Sequence, residues 1–321
     1  MPLFLLSLSA ITSVLGPSNG TLLVQVPMIM VHDSGSGYLP EKGVVNKWAR
    51  TQSVGMAQQL ECGARAFDAR PLRKEGKTIW HHGSVAIDYL YTHTLNDITA
   101  WLRSNPAELV LLHISDCEGE GCMEAVEAET RAANVTVVSA CSSLVGLTYG
   151  QARDLGALPD GGGALLVITG GGSGGGTACA QSHYDSTLEC AKLLAATPSA
   201  NAIDGCWKSD RSHQKFIDRM MQQLDNFING SGAGARNATF SQAQALWQEG
   251  TDSVVVGTLR NSSLLRDEFE SGLNHILAEQ VLQKRWRDGQ LGYLEVNNVC
   301  DGGPQLLHAL QQAYYSSTRA A

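Results

Sequence analysis

Residues 27–83 decide how this chain is read, through three pieces: PMIMVHDSGSGYL (27–39), TQSVGMAQQLECGARAFDAR (51–70) and WHHG (80–83). His32 follows the apolar run TLLVQVPMIMV (21–31), the kind of segment a strand buried on both faces needs, and SGSG (34–37) after it has turn composition. A helix-period stretch, Gln52 to Leu60, leads into a second apolar strand, ARAFDAR (64–70), which ends in Asp68 and Arg70. A third short strand, TIWHH (78–82), ends in His81 and His82. Three successive strands therefore deliver ionisable side chains at their carboxyl ends. In a parallel α/β barrel that is the face where the βα loops meet and where chemistry collects.

Outward from this stretch the chain alternates helical and strand patterns. Helices are predicted over 95–103, 121–133, 209–227, 241–248, 264–284 and 304–315, and strands over 108–115, 164–169, 253–257 and 291–296. The glycine run at 170–176 follows a strand but lacks P-loop spacing, so it reads as a loop rather than a phosphate cradle. The alternation predicts a single α/β domain over 19–321, a TIM-type (β/α) barrel that is irregular in its middle third.

Composition bounds the function. The 321 residues are 43% apolar and 17% charged, enough for one large barrel. A net charge of −8 argues against a nucleic-acid partner and against a strong electrostatic pull to anionic membranes. Leu3 to Gly16 is apolar and uncharged but too short to span a bilayer, so residues 1–18 read either as a signal peptide or as a segment packed on the barrel floor. Asn19, Asn134, Asn229, Asn237 and Asn261 each begin an N-x-S/T sequon. None of the eight cysteines forms a CxxC pair; Cys117 and Cys122 bracket a loop short enough for a disulfide, and Cys179, Cys190 and Cys206 fall in one irregular region. An even cysteine count and many sequons predict a secreted or lumenal protein.

HDSGSG (32–37), W-x-x-TQ (Trp48, Thr51, Gln52), QQL-x-x-GAR-x-FDAR (58–70) and HHG (81–83), taken together, resemble the X-region of phosphatidylinositol-specific phospholipase C in its bacterial, metal-independent form. NPAE (105–108) and LVLLHIS (109–115) extend the likeness over roughly the first third of the chain. Each piece alone is weak; the order and spacing from His32 to His82 are specific. The resemblance implies that His32 takes the proton of the inositol 2-hydroxyl as it attacks phosphorus. His82 would then protonate the departing diacylglycerol oxygen, and Arg70 would steady the non-bridging oxygens, giving a cyclic inositol phosphate. Imidazoles suit the two proton transfers and a guanidinium suits the phosphate. Asp33 would partner His82, Asp68 would hold Arg70, and His81, next to His82 on a strand, should point the other way.

The same resemblance implies that no metal and no cofactor are needed, because Arg70 stands where calcium-dependent relatives carry an acidic residue. It also implies a peripheral encounter with phosphatidylinositol, or a glycosylated form of it, by a monomer, although no amphipathic helix or aromatic cluster stands out as an anchor. The sequence departs from the family pattern at three places. Ser115 replaces a lysine, Asn297 replaces the aspartate that orients the base, and QSHY (181–184) offers Tyr184 to stack on the inositol ring with Ser182 in place of an acid. These departures favour a competing reading, a barrel that keeps the fold but only binds lipid or sugar. A metal-dependent glycerophosphodiesterase-like enzyme is the other competitor, and its histidine motif differs.

Overall fold

A computed structural model describes residues 16–170, 177–183, 210–229, 240–247, 251–283, 286 and 291–315. Eight strands run parallel: β1 (Met28–Val31), β2 (Ala66–Ala69), β6 (Leu109–Ile114), β7 (Thr136–Val138), β8 (Ala164–Ile168), β9 (Ala180–His183), β10 (Phe240–Ala245) and β11 (Tyr293–Val296). Their order in the sheet is β7-β8-β6-β2-β1-β11-β10-β9. Apart from the interchange of β7 and β8 this is chain order curled on itself. Among the described residues no pairing closes β7 onto β9, so the irregularity expected of the middle third is an open seam.

Alternation along each strand sorts the two cores. Met28 and Met30, Ala66, Leu109 and Leu111, Leu166 and Ile168, Phe240 and Tyr293 face inward and cluster together. Ile29 and Val31, Phe67, Val110 and Leu112, Val167, Ala243 and Leu294 face outward and pack under the helices. Those helices include α1 (Val44–Ala49), α2 (Met56–Glu61), α3 (Tyr91–Ser104), α4 (Cys122–Ala132), α5 (Tyr149–Gly156) and α6 (Asp210–Asn229). They continue with α7 (Thr251–Leu259), α8 (Leu264–Ser271), α9 (Leu273–Leu282) and α10 (Gly303–Leu310).

Disulfides brace this frame. Cys62–Cys300 joins the end of α2 to the loop after β11 across 238 residues, a closure on the order of 5 kcal/mol in chain entropy. Cys117–Cys122 closes the short loop before α4, as its spacing predicts. Cys141–Cys179 links the segment after β7 to the segment before β9, across the seam. His113 on β6 spans the same gap, its Nδ1 lying 2.7 Å from the Ala178 carbonyl. Cys190 and Cys206 lie outside the described residues.

Several elements differ from the sequence pattern. TIWHH is not a barrel strand. It belongs to β4 (Lys77–His82), the centre of a separate antiparallel sheet with β3 (Pro71–Lys74) and β5 (Val85–Ile87). Glu75 and Gly76, both at positive φ, supply the tight turn that folds β4 back on β3. Residues 241–248 read as a helix from their Ala and Gln content, yet FSQAQA is strand β10. Residues 253–257 read as a strand from SVVVG, yet they lie in α7. The span 264–284 is two helices, broken at Gly272 in the left-handed region. The helix expected from Gln52 begins only at Met56, after Gly55.

Candidate active site

The inward series of three neighbouring strands end at one place. Met30 stands opposite both Glu295 and Ala66. Two residues further toward the carboxyl ends, the same faces carry His32, Asn297 and Asp68, and Arg70 follows one step higher.

His32 is gripped on both sides of its ring. Arg70 Nη2 donates to Nε2 at 3.0 Å, and Nδ1 lies 2.9 Å from Asn297 Oδ1. Because a guanidinium only donates, Nε2 carries a lone pair and Nδ1 carries the proton. Asn297 is fixed in that sense, since its Nδ2 donates to the Trp247 carbonyl at 3.2 Å. Burial, and then the Arg70 charge, push the imidazole down to about 3 against the opposing pull of Asp68 and Asn297. The result is a neutral ring with its basic nitrogen aimed at a cation.

Arg70 is held by Asp68, whose Oδ2 accepts from Nε at 3.0 Å and Nη2 at 2.8 Å. The same oxygen accepts the Asp33 backbone N–H at 3.0 Å, and Ser115 Oγ donates to the other. Burial works against an ionised Asp68, but Arg70, His32 and Ser115 hold it down at about 2. The pair therefore stays ionised together. Asp33, fully buried at a left-handed backbone position, places Oδ2 3.7 Å from Arg70 Nη1 and 3.1 Å from His82 Nδ1. Burial raises its carboxyl, opposed by the Arg70 and His82 charges. His82 Nδ1 also faces the Ala49 carbonyl. Both partners sit at Nδ1, so Nε2 is the position from which His82 can exchange a proton. Imidazole, guanidinium, carboxylate and second imidazole thus form one continuous chain at the carboxyl end of the barrel.

The surrounding motif residues explain themselves as supports. Thr51 Oγ1 donates to the His32 carbonyl at 3.0 Å, and Gln52 Nε2 donates to the carbonyls of His32 (3.1 Å) and Val296 (3.2 Å) while its Oε1 accepts the Val299 N–H. One buried amide therefore ties the end of β1 to the end of β11. A Cβ on Gly35 would meet Trp80 and one on Gly37 would strike the Val54 carbonyl, so SGSG is a close-packed corner rather than a loose turn.

His81 points away, with its ring nitrogens 3.0 Å from the Gly83 carbonyl and 2.7 Å from that of Asp116. Among the described residues His81, Asp116 and Glu118 are the one group spaced to hold a metal ion, but both nitrogens of His81 already face carbonyl oxygens. Tyr184 and the side chain of Ser182 lie outside the described residues. Two features escaped the sequence reading. Glu295 lies fully buried on the inward face beneath Asn297. Where α1 meets α7, through Trp48 to Thr258 and Lys47 to Asn261, exposed Val44, Val45, Val255 and Leu259 flank the junction; Leu259 is 82% exposed. Two short helices thus together present an apolar patch that neither shows alone.

The whole barrel superposes on solved enzymes. A variant of the phosphatidylinositol-specific phospholipase C from Staphylococcus aureus matches with a TM-score of 0.59 at 16% identity, over 91% of this chain and 95% of that one. The fold is theirs. The corresponding enzyme from Listeria monocytogenes matches with a TM-score of 0.56 at 14% identity, over 94% of this chain and 97% of that one. By sequence, 85 residues are 36% identical to mouse PI-PLC X domain-containing protein 1, over 25% of this chain and 24% of the relative. Another 68-residue alignment is 34% identical to the 1-phosphatidylinositol phosphodiesterase of Listeria monocytogenes, over 21% of this chain and 20% of the relative. The aligned segment thus spans about a quarter or less of the curated relatives. No protein-family model matches the chain.

Proposed function

We propose that this chain cleaves phosphatidylinositol, or a glycosylated form of it, between glycerol and phosphate. The observation that carries the reading is the unbroken contact chain His32–Arg70–Asp33–His82. A phosphate entering against Arg70 takes the guanidinium from His32 Nε2 and frees that lone pair for the inositol 2-hydroxyl. The hydroxyl oxygen bonds to phosphorus as its proton passes to His32. The phosphorus–glycerol oxygen bond breaks, and His82 Nε2 gives that oxygen its proton. Diacylglycerol and a 1,2-cyclic phosphate leave, with the charge on the non-bridging oxygens matched by Arg70 throughout.

The charge balance supports a route without a metal, since Arg70 supplies the cation and Asp68 fixes its orientation. Three disulfides and exposed sequon asparagines at 19, 134, 229 and 261 support an oxidising, secretory location. The apolar junction of α1 and α7 is the surface we assign to the membrane. Related S. aureus structures were solved in the context of membrane binding.

The test is incubation with phosphatidylinositol vesicles in EDTA, following cyclic inositol phosphate by phosphorus NMR. Metal-free product formation that slows in Val45→Ser and Leu259→Ser only on vesicles supports the whole reading. Product that requires added metal, or none at all from folded protein, sinks it. The second reading, a barrel that binds without turnover, is favoured by Asn297 and by the engagement of Ser115 with Asp68. Tight vesicle binding with no product would establish it.

A further inference from the structure

The described sequon asparagines share a feature that the proposed chemistry does not use. Asn19, Asn134, Asn229 and Asn261 are all exposed, and none of them donates a hydrogen bond from Nδ2 among the described residues. Asn46, Asn105, Asn274 and Asn297, which begin no sequon, each spend that donor on a backbone carbonyl. Nδ2 is the atom that N-glycosylation modifies. It bonds to the anomeric carbon of a polyprenyl-diphosphate-linked oligosaccharide. The bond from that carbon to the diphosphate oxygen breaks, polyprenyl diphosphate leaves with the electron pair, and Nδ2 gives up one proton.

The four sites fall on two ends of the barrel. The Asn19 carbonyl accepts the Gly150 N–H at 3.0 Å, next to Tyr149, which lines a shallow cavity with Met28, Arg65 and Glu108 where the strands begin. Asn134 stands two residues before β7. Phe216, early in α6, packs on Trp247 just past the carboxyl end of β10, with ring centroids 4.4 Å apart. Asn229 ends the same helix, about 20 Å further along by helical rise, and so lies at the opposite end.

Asn261 is the exception. It follows α7 at the catalytic end, and its Oδ1 accepts from Lys47 Nζ of α1 at 2.8 Å. Val44 lies one turn before Lys47, and Leu259 two residues before Asn261, so the sequon sits inside the exposed apolar patch. A left-handed turn accounts for an asparagine at 261, and the cap of α8 accounts for the Ser263 hydroxyl, but neither role uses Nδ2. The glycosidic linkage keeps Oδ1, so Lys47 can retain its hydrogen bond and hold the first sugar over the junction of α1 and α7. A hydrated oligosaccharide there cannot follow Val44, Val45, Val255 and Leu259 into a lipid interface, because its hydroxyls would lose their water.

We infer that Asn261 is an N-glycosylation site whose occupancy controls docking of this protein on lipid, whereas glycans on Asn19, Asn134 and Asn229 stay clear of the docking face. The control rests on the membrane role proposed for the α1–α7 junction; the modification itself does not.

The test uses the full chain secreted from a glycosylating eukaryotic cell and sedimented with vesicles of phosphatidylcholine and phosphatidylinositol. Peptide mass spectrometry then gives the occupancy of each asparagine in pellet and supernatant. Molecules modified at Asn261 should be depleted from the pellet at least tenfold, while occupancy at 19, 134 and 229 should differ less than twofold between the fractions. Ser263→Thr, which keeps the capping hydroxyl and strengthens the sequon, should move more protein to the supernatant. Asn261→Gln, which cannot be modified, should pellet as the unmodified fraction does. A bare Asn261 in both the unaltered chain and Ser263→Thr overturns the inference. Equal Asn261 occupancy in the two fractions also overturns it, and leaves the membrane reading standing provided that Val45→Ser and Leu259→Ser weaken docking. Unmodified protein that ignores vesicles, or docks equally well with both serine substitutions, sinks the membrane reading and the control with it, while occupancy at Asn261 is still scored on its own.

Discussion

The two imidazoles of this site stand on different kinds of scaffold. His32 ends a central strand of the barrel and is clasped between a neutral amide and a guanidinium. His82 ends a strand of the small antiparallel sheet outside the barrel, its side chain 27% exposed and its partner a carboxylate. Burial and Arg70 keep the first ring neutral and able to accept a proton. A carboxylate at Nδ1 of the second gives its protonated form a counter-charge. Under the proposed cleavage one residue type would take two opposite tasks, the difference lying in the neighbours rather than in the ring.

The sharpest way to break that division is the leaving group. His32→Ala and His82→Ala should each lower turnover of phosphatidylinositol by about 10²–10⁴-fold. With an inositol phosphodiester whose leaving group is p-nitrophenolate, which departs without a proton, His82→Ala should recover most of its rate and His32→Ala none. Equal recovery of both variants would show that the roles are not divided in this way.

A smaller effect probes the neutral partner. Asn297→Asp puts a charge beside Nδ1 and raises the His32 pKa. The native ring, at about 3, stays neutral from pH 5 upward, so kcat/KM should show no protonation of the base above pH 5. The variant should show a new acid limb at higher pH and a rate at pH 8 raised by about tenfold or less. An unchanged profile would separate Asn297 from the base.

Stability should carry a weaker signature. His32 and His113, with native values of about 3 and about 4, take up protons more readily when unfolded, so stability falls as pH drops below about 6.5. Glu295, at about 8, behaves in the opposite sense: its contribution is present below about 4.5 and lost as pH rises toward 8. Urea midpoints of Glu295→Gln should therefore lose less than those of the native protein between pH 5 and pH 8. Parallel curves would mean that Glu295 ionises normally.

The same contrast explains what the sequence disclosed. His32, Asp68 and Arg70 were legible because their strands are continuous apolar runs ending in charge. The scaffold of His82 was not, since TIWHH looks the same whether it pairs inside a barrel or folds back at Glu75–Gly76. In 241–257 local composition misled twice. Ala and Gln favour helix in isolation, yet in β10 small outward residues admit the covering helices and inward polar ones face the barrel. The valines of α7 favour strand, but they occupy a rim helix where Val255 meets solvent. Glu295 stayed hidden because LGYLEV reads as an apolar strand whatever its one acid does.

The pairing of β1 with β11 sets a condition on biosynthesis. His32 and Asn297 lie 265 residues apart, so a nascent chain on the ribosome carries the imidazole long before the amide that orients it. Cys62 likewise waits for Cys300. Until that late segment emerges, the β11-facing edge of the first strand stays open and the His32 ring lacks its amide partner.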